Sequence, residues 1–347
     1  MNRRAIAFAL LAALTFGAGA PLAKALLGSV DPWILAGLLY FGAGLGLSAF
    51  RGVRPNGGEA PLRGTDVPRL AVVIVVGGVL APLLLLSGLA RTDAATASLT
   101  LNVEAIATMA IAWLAYREPV DRRLLAGAAA IVAGAGVLAW TGPARLDVGA
   151  ILVAAACLCW GIDNNVSRQL AHADPVALAT VKGLAAGPVS LALGLTSGAS
   201  LPAPTAIALG LGLGVVAYGA SLVLYLRAMR DLGTARTAAY FGVAPFAGAA
   251  IAVMAFGEPV SVRLAAAGVL MAVGVWLHLT ERHDHEHDHA ALEHEHRHAH
   301  DEHHRHDHAQ GDPAGEPHSH RHRHLPMTHR HPHAPDLHHR HGHDRVL

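Results

Sequence analysis

Up to residue 280 nearly every charged side chain falls in a short interval between long apolar runs, and each run is about 17 to 23 residues, the length at which an α-helix crosses a bilayer. About ten such runs can be counted, beginning near Ala5, Trp33, Leu70, Ala94, Leu124, Val148, Pro175, Ile207, Ala238 and Leu264; the sixth is the least clean, because it runs into Asp163 and Asn164. In hydrocarbon a spanning segment must satisfy its own backbone, so runs of this length read as helices. Of the 347 residues, 53% are hydrophobic and 15% charged. Soluble domains carry roughly a quarter charged residues. The pattern excludes a water-soluble globular fold and reads as an all-α polytopic membrane protein.

The chain is internally duplicated. Glu118-Pro119-Val120 recurs as Glu258-Pro259-Val260, each closing one apolar run and leading into another. With the two tripeptides aligned, Tyr116 falls on Phe256, Leu124 on Leu264 and Gly134 on Gly274. Phe16-Gly17 recurs as Trp160-Gly161, and Asp31-Pro32 as Asp174-Pro175. Arg3 and Arg4 followed by an apolar stretch and Ala18-Gly19-Ala20 resemble a secretory signal. The recurrence of Phe16-Gly17 instead makes this segment the first helix of a repeat. A repeated, wholly hydrophobic chain is the pattern of a secondary transporter.

Arg and Lys set the orientation. One set of alternate loops holds Arg3, Arg4, Arg51, Arg54, Arg63, Arg69, Arg117, Arg122, Arg123, Arg168, Arg227, Arg230 and Arg236; the other holds Lys24, Arg91, Arg145 and Arg263. Both termini are therefore expected on the cytoplasmic face of a bacterial-type inner membrane. With five spans in each half, the second half must be inverted. The tripeptide at 118 is then expected inside and the one at 258 outside. Small residues four apart, Gly42 with Gly46, Gly210 with Gly214, and Ala126, Ala130 and Gly134, are the kind that let helices approach closely in lipid. Cys157 and Cys159, two apart on one helix, point to different faces and read as small buried hydrophobes.

Ionisable groups at membrane depth are costly, so each one inside a span is a candidate for a transport pathway. Glu104 sits mid-span beside Asn102 with no basic residue within several turns of its own helix. It needs a partner from another helix, a water or a proton; a carboxylate that gains and loses a proton as a cavity opens and closes would couple transport to protons. Lys24 and Lys182 are the only lysines in the chain. Lys182 either meets Glu104 across the bundle, attracts an anionic group, or snorkels to the surface. Asp163, Asn164 and Asn165 form a polar cluster at the end of the sixth run, either a pathway element or a helix end. Pro21, Pro82, Pro188 and Pro245 each remove a backbone donor within or beside a span. Pro245, which aligns with Ala105 next to Glu104, is the expected cavity-lining break. The candidate pathway set is thus Glu104, Asn102, Lys182, Lys24, Asp163, Asn164 and Pro245.

Past Thr280 the hydrophobicity stops. Residues 281–347 hold 23 of the 25 His, 13 acids and 8 Arg, a net charge of −5 with His neutral, while the preceding part carries +6. Such a segment cannot bury a core and is expected without fixed structure. His283, His285, His287, His289, His294, His296, His298, His300, His303, His304, His306 and His308 alternate with or adjoin carboxylates, and neutral imidazole suits zinc, nickel and cobalt. The tail reads as a set of metal sites of modest affinity.

Taken together these features resemble the EamA family of the drug/metabolite transporter superfamily, over residues 5–140 and 147–280. The resemblance is carried by Phe16-Gly17 with Lys24, Trp160-Gly161 with Arg168, Ala94-Ala95-Thr96-Ala97-Ser98 and Thr234-Ala235-Arg236-Thr237-Ala238, Pro245, and the two Glu-Pro-Val turns leading into Gly127 and Gly268. It implies ten helices in two inverted five-helix repeats around a central cavity, with proton-coupled or exchange movement of small organic solutes. This chain departs from the family pattern by having Glu104 in place of the family's proline in the first half, and by its His-rich tail. The expected function is a small-solute carrier in the inner membrane. The alternative is a nickel, cobalt or zinc carrier fed by the tail, although the spans lack His and Asp pairs at helical spacing. A membrane-anchored metal buffer is the third reading. The expected partners are the lipid bilayer, a small solute and divalent transition metals on the tail. An oligomer is allowed, and no cofactor, nucleic acid or enzymatic activity is expected.

Overall fold

The computed structural model describes residues 3–53, 62–117, 120–142, 145–170, 173–232 and 234–280, except the side chains of Arg230, Asp231, Thr234, Ala235 and Ala239, and it describes the backbone of four short segments of the tail. Nine helices among the described residues are long and apolar enough to cross a membrane: α1 (Arg3–Leu26), α2 (Pro32–Val53), α3 (Gly64–Leu89), α4 (Ala94–Tyr116), α5 (Arg122–Ala139), α6 (Val148–Arg168), α7 (Pro175–Thr196), α8 (Pro204–Met229) and α10 (Val262–Leu279). The tenth span, α9, is two shorter pieces, Thr234–Phe241 and Ala244–Phe256, and the second begins at Pro245 as its first turn.

The polar intervals between the runs start the helices. Asp31 accepts from Trp33 N–H at 2.8 Å and Asp174 from Val176 N–H at 2.8 Å, so the repeated Asp-Pro is a repeated N-cap of α2 and α7. Asp121 and Ser261 do the same for α5 and α10, accepting from Leu124 and Leu264 N–H at 2.7 and 3.0 Å. At the other end of the preceding spans, α4 closes on Arg117 and α9 on Gly257, both left-handed with φ of 56° and 69°. These stops are also repeat counterparts.

Inversion of the halves is visible in which glycines meet. Along α2 and α7, Gly37 lies against Gly187 and Leu191, whereas Gly44 lies against Gly183 and Leu184. Rising numbers on one helix meet falling numbers on the other, so the two run antiparallel. Along α5 and α10, Gly127 meets Gly274 and Gly134 meets Ala267, again antiparallel. Since α2 and α7, and α5 and α10, are equivalent members of the two repeats, the halves are upside down relative to each other. The contacts leave no room for a side chain: a Cβ on Gly274 would lie 2.7 Å from Gly127 O, and one on Gly187 would lie 2.6 Å from Phe41 Cβ. The paired small residues Gly42, Gly46, Gly210 and Gly214 face each other's helices across the α2–α8 crossing, where Gly42 meets the Leu211 backbone and Gly214 that of Leu39.

The Glu258 carboxylate accepts from Ala94 and Ala95 N–H, both at 2.7 Å, so the end of α9 sits on the start of α4. The 23 residues of α4 then carry the chain about 34 Å away at a rise of about 1.5 Å per residue, so Arg117 stands at the opposite end of the bundle. Glu118 and Pro119 themselves lie outside the described residues.

Both repeats break in the same places. The irregular turn at Leu101 and Asn102 in α4 answers the one at Gly242 and Val243 in α9. A π-helical stretch, Val73–Leu80 in α3, answers Gly214–Ala220 in α8. The two members of each pair are separated by about the same interval as Glu118 and Glu258. Short π segments within α-helices are frequent at functional sites.

A hairpin of β1 (Trp140–Gly142) and β2 (Arg145–Leu146) joins the halves. In the tail, where no regular structure is expected from composition, the backbone of β3 (His283–His289) runs antiparallel to β6 (Met327–His333), and β4 (Leu292–His298) to β5 (His318–His324). Alternation of two residue types along a segment is compatible with an extended backbone. The tail's side chains, and His300, His303, His304, His306 and His308 altogether, lie outside the described residues.

Candidate functional site

The middle of the bundle brings polar groups from α4, α6 and α7 together. Glu104 stands two residues past the break in α4. Asn164 on α6 donates to Glu104 Oε1 at 3.0 Å and to Thr108 Oγ1 at 3.2 Å, with Thr108 one turn along the same face of α4. Asn165 donates to Thr108 O at 3.0 Å and to Gly161 O at 2.9 Å, pinning α6 to α4 behind the pair. Asn164 is exposed and Glu104 half-buried, whereas Asp163, one residue away on another face of α6, is 4% exposed. Asp163 pairs with Lys182 Nζ from α7 and accepts from Ser167 Oγ at 3.2 Å. Lys182 therefore meets Asp163 and not Glu104.

Gly77 in the π stretch of α3 completes the floor beneath that ion pair, because any Cβ there would overlap the Asp163 carboxylate. Its carbonyl is free for a reason legible in the chain. In the π pattern Ala81 N–H bonds back five residues to Val76 O, so Gly77 O would take the N–H of residue 82, and Pro82 has none. Tyr40 Oη on α2 donates to that carbonyl at 2.9 Å and Trp160 Nε1 on α6 at 3.2 Å. A buried acceptor left without donors would cost about 1–3 kcal/mol, so these two rings are held in place by Pro82.

The aromatic row continues across the repeat interface. Tyr40 and Tyr218 lie 5.9 Å apart, Tyr218 and Phe16 5.9 Å, and Phe16 and Phe241 5.4 Å. Phe16 and Trp160, met in the sequence only as repeat markers, thus line the centre from the two halves. The glycine after each allows it: a Cβ on Gly17 would lie 3.2 Å from the Ala244 carbonyl carbon, and one on Gly161 would lie 2.9 Å from that of Ala107. Tyr40 reaches the carbonyl of Gly77, which lies against Asp163, and Asn164 next to Asp163 holds Glu104, so the polar groups and the rings share one region of the bundle.

Three of the sequence candidates stand elsewhere. Lys24 donates to Leu89 O and Thr92 O, neutralising the carbonyl end of α3. Asn102 is buried and donates to Leu99 O at 2.8 Å, which stabilises the break in α4. Pro245 begins the second piece of α9. Cys157 packs against Thr100 O and Leu101 O, and both thiols are buried and free. Among the described residues no three His, Cys, Asp or Glu converge as a metal site.

The two ends of the site differ. At the Glu258 end the bundle is sealed: Glu258 clamps the start of α4, Lys24 ties α1 to α3, and Thr92 Oγ1 donates to Asp147 Oδ2 at 2.6 Å, tying α3 to α6. The first piece of α4, Ala94–Thr100, packs broadly on the second piece of α9. Repeat symmetry calls for an equivalent contact at the Arg117 end, between Val103–Tyr116 and Thr234–Phe241. Among the described residues those two segments have no comparable packing.

The chain matches the EamA-like transporter family twice, over residues 3–140 and 147–280. An uncharacterized transporter of Methanothermobacter thermautotrophicus is 29% identical over 285 residues, covering 77% of this chain and 83% of that protein. A crystal structure described only as that of a protein aligns with 79% of this chain and 96% of its own, at 19% identity and a TM-score of 0.59, a likeness of fold alone.

Proposed function

Because the chain belongs to the EamA-like transporter family, and is therefore a multi-pass membrane transporter, we propose that it moves a small organic solute by alternating access. The solute would bind between the halves at Glu104 and Asn164, with Glu104 carrying the coupled proton. The Arg and Lys distribution orients the Arg117 end and both termini toward the cytoplasm of a bacterial-type inner membrane. The observation that carries this reading is the α4–α9 contact that closes the Glu258 end, while among the described residues Val103–Tyr116 and Thr234–Phe241 show no comparable packing at the other. A bundle of equal halves has a second arrangement of similar energy in which the two ends exchange roles.

Accessibility labelling tests this. With Cys157 and Cys159 replaced by Ala, a cysteine at position 164 is expected to react with a membrane-impermeant maleimide from the Arg117 side only. Adding Glu258→Ala should release the clamp and bring reaction from the other side up severalfold. Equal labelling from both sides in the parent, or no response to Glu258→Ala, would remove the one-ended seal.

The tail is read as an addition to this machinery. Deleting residues 281–347 is expected to leave solute flux within about twofold while abolishing nickel and zinc binding by the purified protein in equilibrium dialysis. Loss of flux on deletion would make the tail part of the carrier.

A further inference from the structure

The charges at the centre do not balance. Two carboxylates, Glu104 and Asp163, meet one ammonium, Lys182, and that ammonium is committed to Asp163. Lys24 is committed to carbonyls at the sealed end. The hydrogen-bond partner of Glu104 is neutral: Asn164 donates to it and also to the Thr108 hydroxyl, while Tyr40 stands over Gly77 beside Asp163 and packs on Tyr218. An ionised carboxylate at this depth without a cation is costly, and the deficit is removed either by a proton or by a positively charged ligand. In the same region, over Gly77 and Asp163, stand the buried Tyr40 and the half-buried Tyr218, with Phe16 behind them. Aromatic faces attract a cation electrostatically and offer apolar area to whatever carries it. A carboxylate on the ligand would meet Glu104 and Asp163, and the one lysine there is already paired with Asp163.

We propose that the site takes an organic cation, an ammonium carried on a flat apolar body, with its charge on Glu104 and its body against Tyr40 and Tyr218. This rests on the carrier reading above and names its substrate class. A proton and the cation then occupy the same carboxylate in turn, so movement of one inward would accompany movement of the other outward.

Binding to the purified full-length protein discriminates the class by using one carbon skeleton with different charges: phenethylamine, phenylalanine and 3-phenylpropionate, with benzyltrimethylammonium as a cation that cannot lose its charge. Phenethylamine and benzyltrimethylammonium are expected to raise the melting temperature and to bind at least tenfold more tightly than the zwitterion and the anion. Glu104→Gln should weaken both cations by tenfold or more with an unchanged melting temperature in the absence of ligand. Tyr218→Leu should weaken them severalfold. Equal or tighter binding of phenylalanine or phenylpropionate overturns the proposal, as does undiminished cation binding by Glu104→Gln. If none of the four binds while a cysteine at 164 still labels from one side, the cation class is wrong and the carrier stands. If that labelling is two-sided, the carrier reading itself has failed.

Discussion

Glu104→Gln is expected to reduce proton-driven solute flux in proteoliposomes by about a hundredfold or more while leaving the protein folded, because on the proposed reading this carboxylate carries the coupled proton. Glutamine keeps the shape of the side chain and an oxygen to accept from Asn164, whose other bond to Thr108 is untouched. On the proposed carrier reading, what disappears is the proton that the carboxylate would hold in one state and release in the other. Solute exchange without a proton gradient is the informative control. A variant that still exchanges solute but cannot accumulate it has lost coupling alone, whereas loss of both places Glu104 in solute binding as well. Coupled accumulation at the parent rate would exclude Glu104 from the mechanism.

Asp163→Ala should destabilise the protein by about 3–5 kcal/mol, the cost of leaving one partner of a buried ion pair uncompensated. The carboxylate is 4% exposed, and its loss strands Lys182 Nζ between α6 and α7 above Gly77. Lys182→Ala should cost a similar amount from the other side. The double substitution Asp163→Leu, Lys182→Met removes both charges at similar volume and is expected to recover most of the loss. Thermal unfolding of the detergent-solubilised single and double variants reads the cycle directly. Additive losses in the double variant would mean that the two residues act separately. Since the pair also cancels the only ammonium at the centre, the neutral double variant should keep the preference of the site for cations.

Much of this architecture can be read along the chain. Apolar length located the spans, the Asp-Pro and Asp121 caps marked where several begin, and the tripeptide repeat with an odd number of spans per half required the inversion that the Gly37 and Gly187 contact displays. That α9 is interrupted near Pro245 was legible, because proline acts on its own helix; the turn itself falls at Gly242 and Val243. Glu104, Asp163, Asn164 and Lys182 stood out as candidates for a related reason: a charge or amide inside an apolar run is conspicuous without knowledge of its surroundings. Tyr40, Tyr218, Phe16 and Trp160 were not found as site residues, since an aromatic ring inside an apolar run looks like any other lipid-facing or packed side chain. The π turns left a signal, Gly77 followed five residues later by Pro82, that only the widened hydrogen-bond pattern makes meaningful.

The sequence by itself determined the helices, their number and their up-and-down order, because in lipid each segment must close its own backbone hydrogen bonds within a few residues. The tertiary structure alone decided who meets whom: that Lys182 takes Asp163 and leaves Glu104 to Asn164, that Lys24 caps α3, and that Glu258 clamps the start of α4. Those pairings join residues from 19 to 164 positions apart. They depend on helix crossings set by where glycine lets two backbones touch, a property of two surfaces at once that neither segment carries alone.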